Sequence, residues 1–232
     1  MKNIIIVTLA GLLATSAVSC TWVRVNPGLG GYETNDGEKT IGTVVEKISQ
    51  ADSFTFNIPA DITYVQTDGE PYLTINAPEK VLAKIEILQN GSSVVLQCKA
   101  GERIRNGNID VRVGTSDLRR LAVNSAADFD IKGGLRTESF YLEGNGAIDV
   151  SADAIEAELV TLNINGAGDV ELKGLDCGTI LVQVHGAGDV ELKGRCGRAE
   201  LEIDGAGDID ARKLTAEELT TNVHGIGSVK RQ

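Results

Sequence analysis

Alternation opens the patterned part of the chain. Phe54-Thr55-Phe56-Asn57-Ile58 puts every second side chain on one face, as in a strand buried on one side and wet on the other. Looser versions recur at Ile62-Thr63-Tyr64-Val65-Gln66 and Tyr72-Leu73-Thr74-Ile75. Residues 84–88 and 94–98 repeat the pattern around Asn90-Gly91, which predicts a β-hairpin because this dipeptide accepts the positive φ of a tight turn. Residues 78–82 predict one helical turn and residues 215–219 a second; no longer helix is expected.

From about Leu121 the alternation becomes a repeat. NSAADFDIKG (124–133), NGAIDVSADA (145–154), NGAGDVELKG (165–174), HGAGDVELKG (185–194), DGAGDIDARK (204–213) and HGIGSVKRQ (224–232) align without gaps. The leading glycine stands at 146, 166, 186, 205 and 225, with Ser125 in the first copy, a spacing of 19–21 residues. Two residues before it come Val123, Gly144, Ile164, Val184, Ile203 and Val223; four after it come Phe129, Val150, Val170, Val190, Ile209 and Val229. A unit of about 20 residues cannot bury its own apolar face, whereas stacked copies bury a continuous ladder. The expected fold is all-β: a parallel β-helix or β-solenoid with about 20-residue rungs and two strands per rung.

The turns carry the least variable letters. Gly146, Gly166, Gly168, Gly186, Gly188, Gly205, Gly207, Gly225 and Gly227 are expected to let the chain reverse through positive φ. Asn145, Asn165, His185, Asp204 and His224 precede the leading glycines, and these residue types also tolerate the left-handed region. Lys230 and Arg231 fall in the last copy, where charge would discourage edge-to-edge pairing.

Several columns invite a chemical reading. Asp128, Asp149, Asp169, Asp189 and Asp208 would stack about 4.8 Å apart. Calcium could neutralise them, but calcium-binding β-rolls repeat every nine residues, about half the period here. The expected role is structural: each aspartate accepts backbone N–H groups of its own turn. His185 and His224 lie two rungs apart, too far for a compact zinc site. Glu171, Glu191, Lys173 and Lys193 look like ladders of paired charge on an outer face, not a lyase site, and no nucleophile sits in a recognisable elbow. No metal, cofactor or catalytic residue is expected.

Cys177 and Cys196, one period apart, should stack within disulfide reach, either bridged or as two thiols. Cys98 alternates within a strand and reads as a packed thiol.

The N-terminus is of another kind. Lys2 precedes an apolar run from residue 4 to 13 that is too short to span a membrane and reads as a signal peptide over residues 1–19. Ala17-Val18-Ser19-Cys20 is similar to a bacterial lipobox, which implies that Cys20 is lipidated and anchors the protein to a membrane. Residues 20–41 then form a flexible tether, and residues 42–232 one solenoid domain, with a less regular first half (42–118) and a regular second half (119–232). The whole chain has a net charge of −11; loss of the leader with its single charge, Lys2, makes it −12. Such an acidic surface argues against nucleic acid as a partner.

Two stretches carry a family resemblance. One is the run of GAGD turns between Asn145 and Ser228; the other is DITYVQTDGEPYLTINAPEKVLAKIEILQNGSSVVLQCKAG upstream. Together, over residues 47–230, they resemble the putative auto-transporter adhesin family, head GIN domain. Ser125 and Ala127 depart from the glycine pattern in the first copy. The resemblance implies a β-helical fold and adhesion at the surface of Bacteroidetes-like bacteria, and brings no catalytic residues. The expected protein is a non-catalytic, lipid-anchored outer-membrane lipoprotein that binds a protein or glycan ligand. The alternative is a structural or scaffold lipoprotein facing the periplasm. Thr21-Trp22-Val23-Arg24 after Cys20 lacks the acidic residues that mark surface export in some lipoproteins, which counts against surface display.

Overall fold

A computed structural model describes residues 41–104 and 108–231. The leader, Cys20 and the tether up to residue 40 lie outside the described residues. The elements in chain order are β1 (Ile41–Glu46), β2 (Ser53–Phe56), β3 (Ala60–Gln66), β4 (Tyr72–Pro78), α1 (Glu79–Leu82), β5 (Ile85–Asn90), β6 (Ser93–Cys98) and β7 (Asp110–Thr115). They continue as β8 (Arg120–Val123), β9 (Ala127–Lys132), β10 (Leu135–Arg136), β11 (Ser139–Gly144), β12 (Ala147–Ala152), β13 (Ile155–Ile164), β14 (Ala167–Val184) and β15 (Ala187–Lys230).

The chain winds as a β-solenoid whose successive coils pair in parallel. On one broad face β3 pairs with β9, β9 with β12, and β12 with the start of β14. On the other, β2 pairs with β8, β8 with β11, β11 with β13, and β13 with the end of β14. A short third segment also stacks: Leu135 beside Ile155, Ile155 beside Leu175, and Leu175 beside Gly194. β14 and β15 are long because pairing continues around the corners, with one register shift between Leu172 and Leu175.

Parallel stacking starts upstream of the legible repeat. β2 and β3 form a full coil beneath β8 and β9. Before it, β7 pairs in parallel with β3, while β4 and β1 continue the sheet antiparallel. The β5–β6 hairpin closes through Gly91 at φ 59°, and Glu79–Leu82 is the one helical turn among the described residues. Residues 215–219, expected as a turn of helix, instead lie within β15. Their backbone follows the preceding coil, and pairing overrides a weak local preference.

The core is a set of aliphatic files running along the solenoid. Phe54, Leu121, Leu142, Leu162, Val182 and Leu201 stand in register and are buried. Phe129, Val150, Val170 and Val190 do the same on the opposite face. Removing these side chains from water is the main favourable term for such a stack. Among the described residues no helix is long and apolar enough to cross a membrane.

Candidate binding surface

The strands of the β3–β9–β12 face open on aspartate. Register sets Asp110 beside Asp61, Asp61 beside Asp128, Asp128 beside Asp149, Asp149 beside Asp169, and Asp169 beside Asp189. Asp208 continues the file, donating its N–H to Asp189 Oδ1 at 2.9 Å. Asp61 and Asp110 were not among the expected members. Their signal was present: each precedes an apolar–polar–apolar triplet, as Asp128 and Asp149 do.

The hydrogen bonds correct the expected role of these carboxylates. Asp149 Oδ1 accepts the N–H of Asp169, and Asp169 Oδ1 that of Asp189, both at 3.3 Å. Asp208 Oδ1 accepts the N–H and hydroxyl of Ser228 at 2.9 and 2.8 Å. The donors therefore belong to the next coil, not to the aspartate's own turn. Equivalent residues are direct neighbours across a parallel ladder, so the nearest unpaired donor lies along the axis.

The glycine corners need a second correction. Positive φ occurs at Gly168 (147°) and Gly225 (149°) but not at Gly146, Gly166, Gly186, Gly188, Gly205, Gly207 or Gly227. The constraint there is close approach. A Cβ on Gly166 would sit 1.9 Å from the carbonyl oxygen of Gly146. The corners of successive coils nest backbone on backbone, and a side chain would push them apart.

A parallel file runs along the neighbouring corner. Asn124 Nδ2 donates to Asn57 Oδ1 at 2.7 Å, Asn145 to Asn124 at 2.8 Å, and Asn165 to Asn145 at 2.9 Å. The register that pairs Val184 with Ile203 carries His185 and Asp204 on in the same direction. Asn57 precedes Asp61 by the interval that separates Asn145 from Asp149. This marks Asn57–Asp61 as an earlier copy of the corner, hidden because Ile58 and Pro59 replace its small residues. Among the described residues no group of three or more His, Cys, Asp or Glu side chains could hold a metal ion.

An open groove of about 460 Å³ runs along the aspartate file, lined by Ala60, Ala127, Ala147, Asp61, Asp128 and Asp149 among others. A second hollow of about 290 Å³ shares Asp61 and Asp128 and adds Asp110, Asp130, Asn76 and Arg112. The carboxylates differ along the file. Burial, then repulsion from Asp149, Asp61 and Asp130, raises the pKa of Asp128. At the far end the Lys230 ammonium, 2.9 Å from Asp208, lowers that carboxyl's pKa, and Ser228 adds to the effect. Lys230 is thus tied inward to the previous coil.

The flanking column is cross-braced. Lys193 reaches Glu171 at 2.7 Å and Glu191 at 3.1 Å, and Lys213 reaches Glu191 at 3.3 Å. Lys173 lies 3.7 Å from Glu171. Among the described residues Asp61, Asp128 and Asp149 make no salt bridge, and Arg112 is the cation that lines the adjoining hollow, so acidic charge gathers along this part of the file. The arrangement offers a linear acidic track.

Cys177 and Cys196 are register partners and both are buried; Cys98 is half-buried in β6. All three are thiols in this structure.

The sequence model of the putative auto-transporter adhesin family, head GIN domain, matches residues 52–231. No curated protein matches the chain. Three crystal structures each cover 84% of this chain and are covered over 98% of their own. One is a putative adhesin from Bacteroides fragilis NCTC 9343 (16% identity, TM-score 0.65). Another is a putative lipid binding protein from Parabacteroides distasonis ATCC 8503 (18%, 0.74). The third is a putative adhesin from Parabacteroides merdae ATCC 43184 (15%, 0.56). At these identities the likeness speaks for the fold.

Proposed function

The chain belongs to the putative auto-transporter adhesin family, head GIN domain, and on that premise we propose that it is a non-catalytic binding protein of the cell envelope. The observation that carries this reading is the aspartate file with its groove at Asp61, Asp128 and Asp149. The carboxylates run in single file instead of converging on a reacting centre. The groove offers a long, shallow contact, which suits an adhesive partner better than a small substrate.

The chemistry of the groove favours a basic protein segment as ligand. Its lining holds carboxylates, alanines and two isoleucines but no aromatic ring, and aromatic side chains commonly supply large contact area at recognition sites. Carboxylates attract ammonium and guanidinium groups and steer their approach.

Anchoring through a lipid on Cys20, and exposure on the outer surface, complete the proposal. The lipobox-like residues before Cys20 support the anchor. Protease shaving of intact cells tests both, with lysed cells and a Cys20→Ala variant as controls. Cleavage on intact cells that requires Cys20 is the expected result. Survival until lysis would instead assign the protein to the periplasmic face, as a structural or scaffold lipoprotein.

A further inference from the structure

The third, short face of the solenoid holds a column unlike its neighbours. Ala157 pairs with Cys177, and Cys177 pairs with Cys196. The two cysteines are the only sulfur in this file, and both are buried, at 8% and 6% exposure. In-register neighbours on parallel strands lie about 4.8 Å apart, within the Cα separation of roughly 4.4–6.8 Å that a disulfide accepts. Each thiol perturbs the titration of the other, as adjacent groups do.

The surrounding corner is built for close approach. Each cysteine is followed by glycine, and a Cβ on Gly197 would lie 2.9 Å from the Gly178 carbonyl oxygen. Outside, Arg195 forks onto Asp176 with contacts of 2.9 and 2.5 Å, pinning the same two segments. The ion pair and the glycines fix the register that brings the sulfurs together.

We propose that Cys177 and Cys196 form an intrachain disulfide that staples two successive coils, made by exchange with a disulfide donor as those coils assemble. The thiolate of one cysteine attacks the donor's S–S bond, forming a mixed disulfide and expelling one donor thiolate. The second cysteine then displaces the other donor sulfur. Two electrons and two protons pass to the donor, which leaves as two thiols. In the cell that donor is an oxidised thiol–disulfide oxidoreductase of the envelope, the one step that rests on the envelope reading.

Burial sets the order of events. It raises the pKa of Cys177 to about 12, the neighbouring Cys196 and Asp176 adding to the effect, and it raises that of Cys196. Once the coils close, neither sulfur is a ready thiolate. The bridge therefore forms during folding and is afterwards shielded from reductants.

A cell-free experiment separates this inference from the localisation question. The full-length chain is refolded in a mixture of reduced and oxidised glutathione, blocked with iodoacetamide and digested with trypsin. Cleavage after Lys173, Lys193, Arg195 and Arg198 puts Cys177 in peptide 174–193 and Cys196 in peptide 196–198. The expected product is these two peptides linked, lighter by two hydrogens, with Cys98 alkylated. Separate alkylated peptides, or a link of either cysteine to Cys20 or Cys98, would overturn the proposal. A Cys177→Ala, Cys196→Ala double variant keeps the column small, as Ala157 already is. Denaturing reduction followed by refolding should lower the wild-type Tm by several degrees and leave the double variant unchanged. Equal wild-type melting with and without the bridge would refute a staple.

Discussion

Ile148 fills the space that Gly144 leaves empty. A Cβ on Gly144 would lie 2.2 Å from Ile148 Cδ1, and Ile148 is buried at 1% exposure. In the next coil the positions are exchanged: Gly168 pairs with Ile148, and Ile164 pairs with Gly144. One core site is thus filled from two different points of the repeat.

Compensation of this kind is measurable as coupling. Gly144→Val alone overpacks the site and should cost about 1–3 kcal/mol, while Ile148→Gly alone opens a cavity and should cost about 2–5 kcal/mol. The double variant should lose less than the sum, with an interaction energy within about 0.5–3 kcal/mol. Urea denaturation of the four proteins checks this; simple additivity would show that the two side chains do not share one space.

The nested corners predict an order among glycines. A Cβ on Gly166 meets the Gly146 carbonyl oxygen at 1.9 Å, and one on Gly174 meets that of Asp153 at 2.9 Å. Gly166→Ala should therefore lose at least the upper part of the roughly 1–3 kcal/mol of an overpacked site, and Gly174→Ala clearly less. If denaturant midpoints put the two equal, backbone contact is not what selects glycine here.

Asp128 gives the fold an unusual pH term. Its raised pKa, caused by burial and then by Asp149, Asp61 and Asp130, means that the folded state holds this proton more tightly than the unfolded chain. The contribution is favourable below the ordinary carboxylate range and is lost as pH rises through the raised value. Asp130 and Glu191 act oppositely: Ser151 for the first, and Lys193 for the second, lower their pKa values. Their contribution is present above the ordinary range and lost as pH falls through the lowered value. Asp128→Asn should raise Tm at neutral pH, and the gain should vanish in acid. Thermal melts across that interval decide it; a variant no more stable than wild type at neutral pH would refute the repulsion.

The acidic track should bind cations by position and not by total charge. Asp61→Asn with Asp128→Asn should weaken capture on an oligolysine surface several-fold more than Glu138→Gln with Glu156→Gln. Both pairs remove two negative charges, but only the first lies on the groove. Surface plasmon resonance at low salt, where such contacts are strongest, makes the comparison. Equal losses would mean that net charge alone governs binding.

The sequence by itself determined the architecture of residues 121–231. A period near 20 with alternating apolar positions has one economical solution, because stacking is what lets each short unit bury its face. The hairpin at Asn90-Gly91 and the single helical turn at Glu79–Leu82 were equally legible, since local turn chemistry fixes them. Only the tertiary structure showed that Asn57 begins one file and that Asp61 and Asp110 extend the other, because Ile58 and Pro59 interrupt the visible motif while backbone register does not depend on them. It also decided why the corners are glycine and where the aspartates find their donors. Both answers lie one coil away along the axis, 19–20 residues off in the chain. A residue's own turn, which is all that a local reading can inspect, does not contain them.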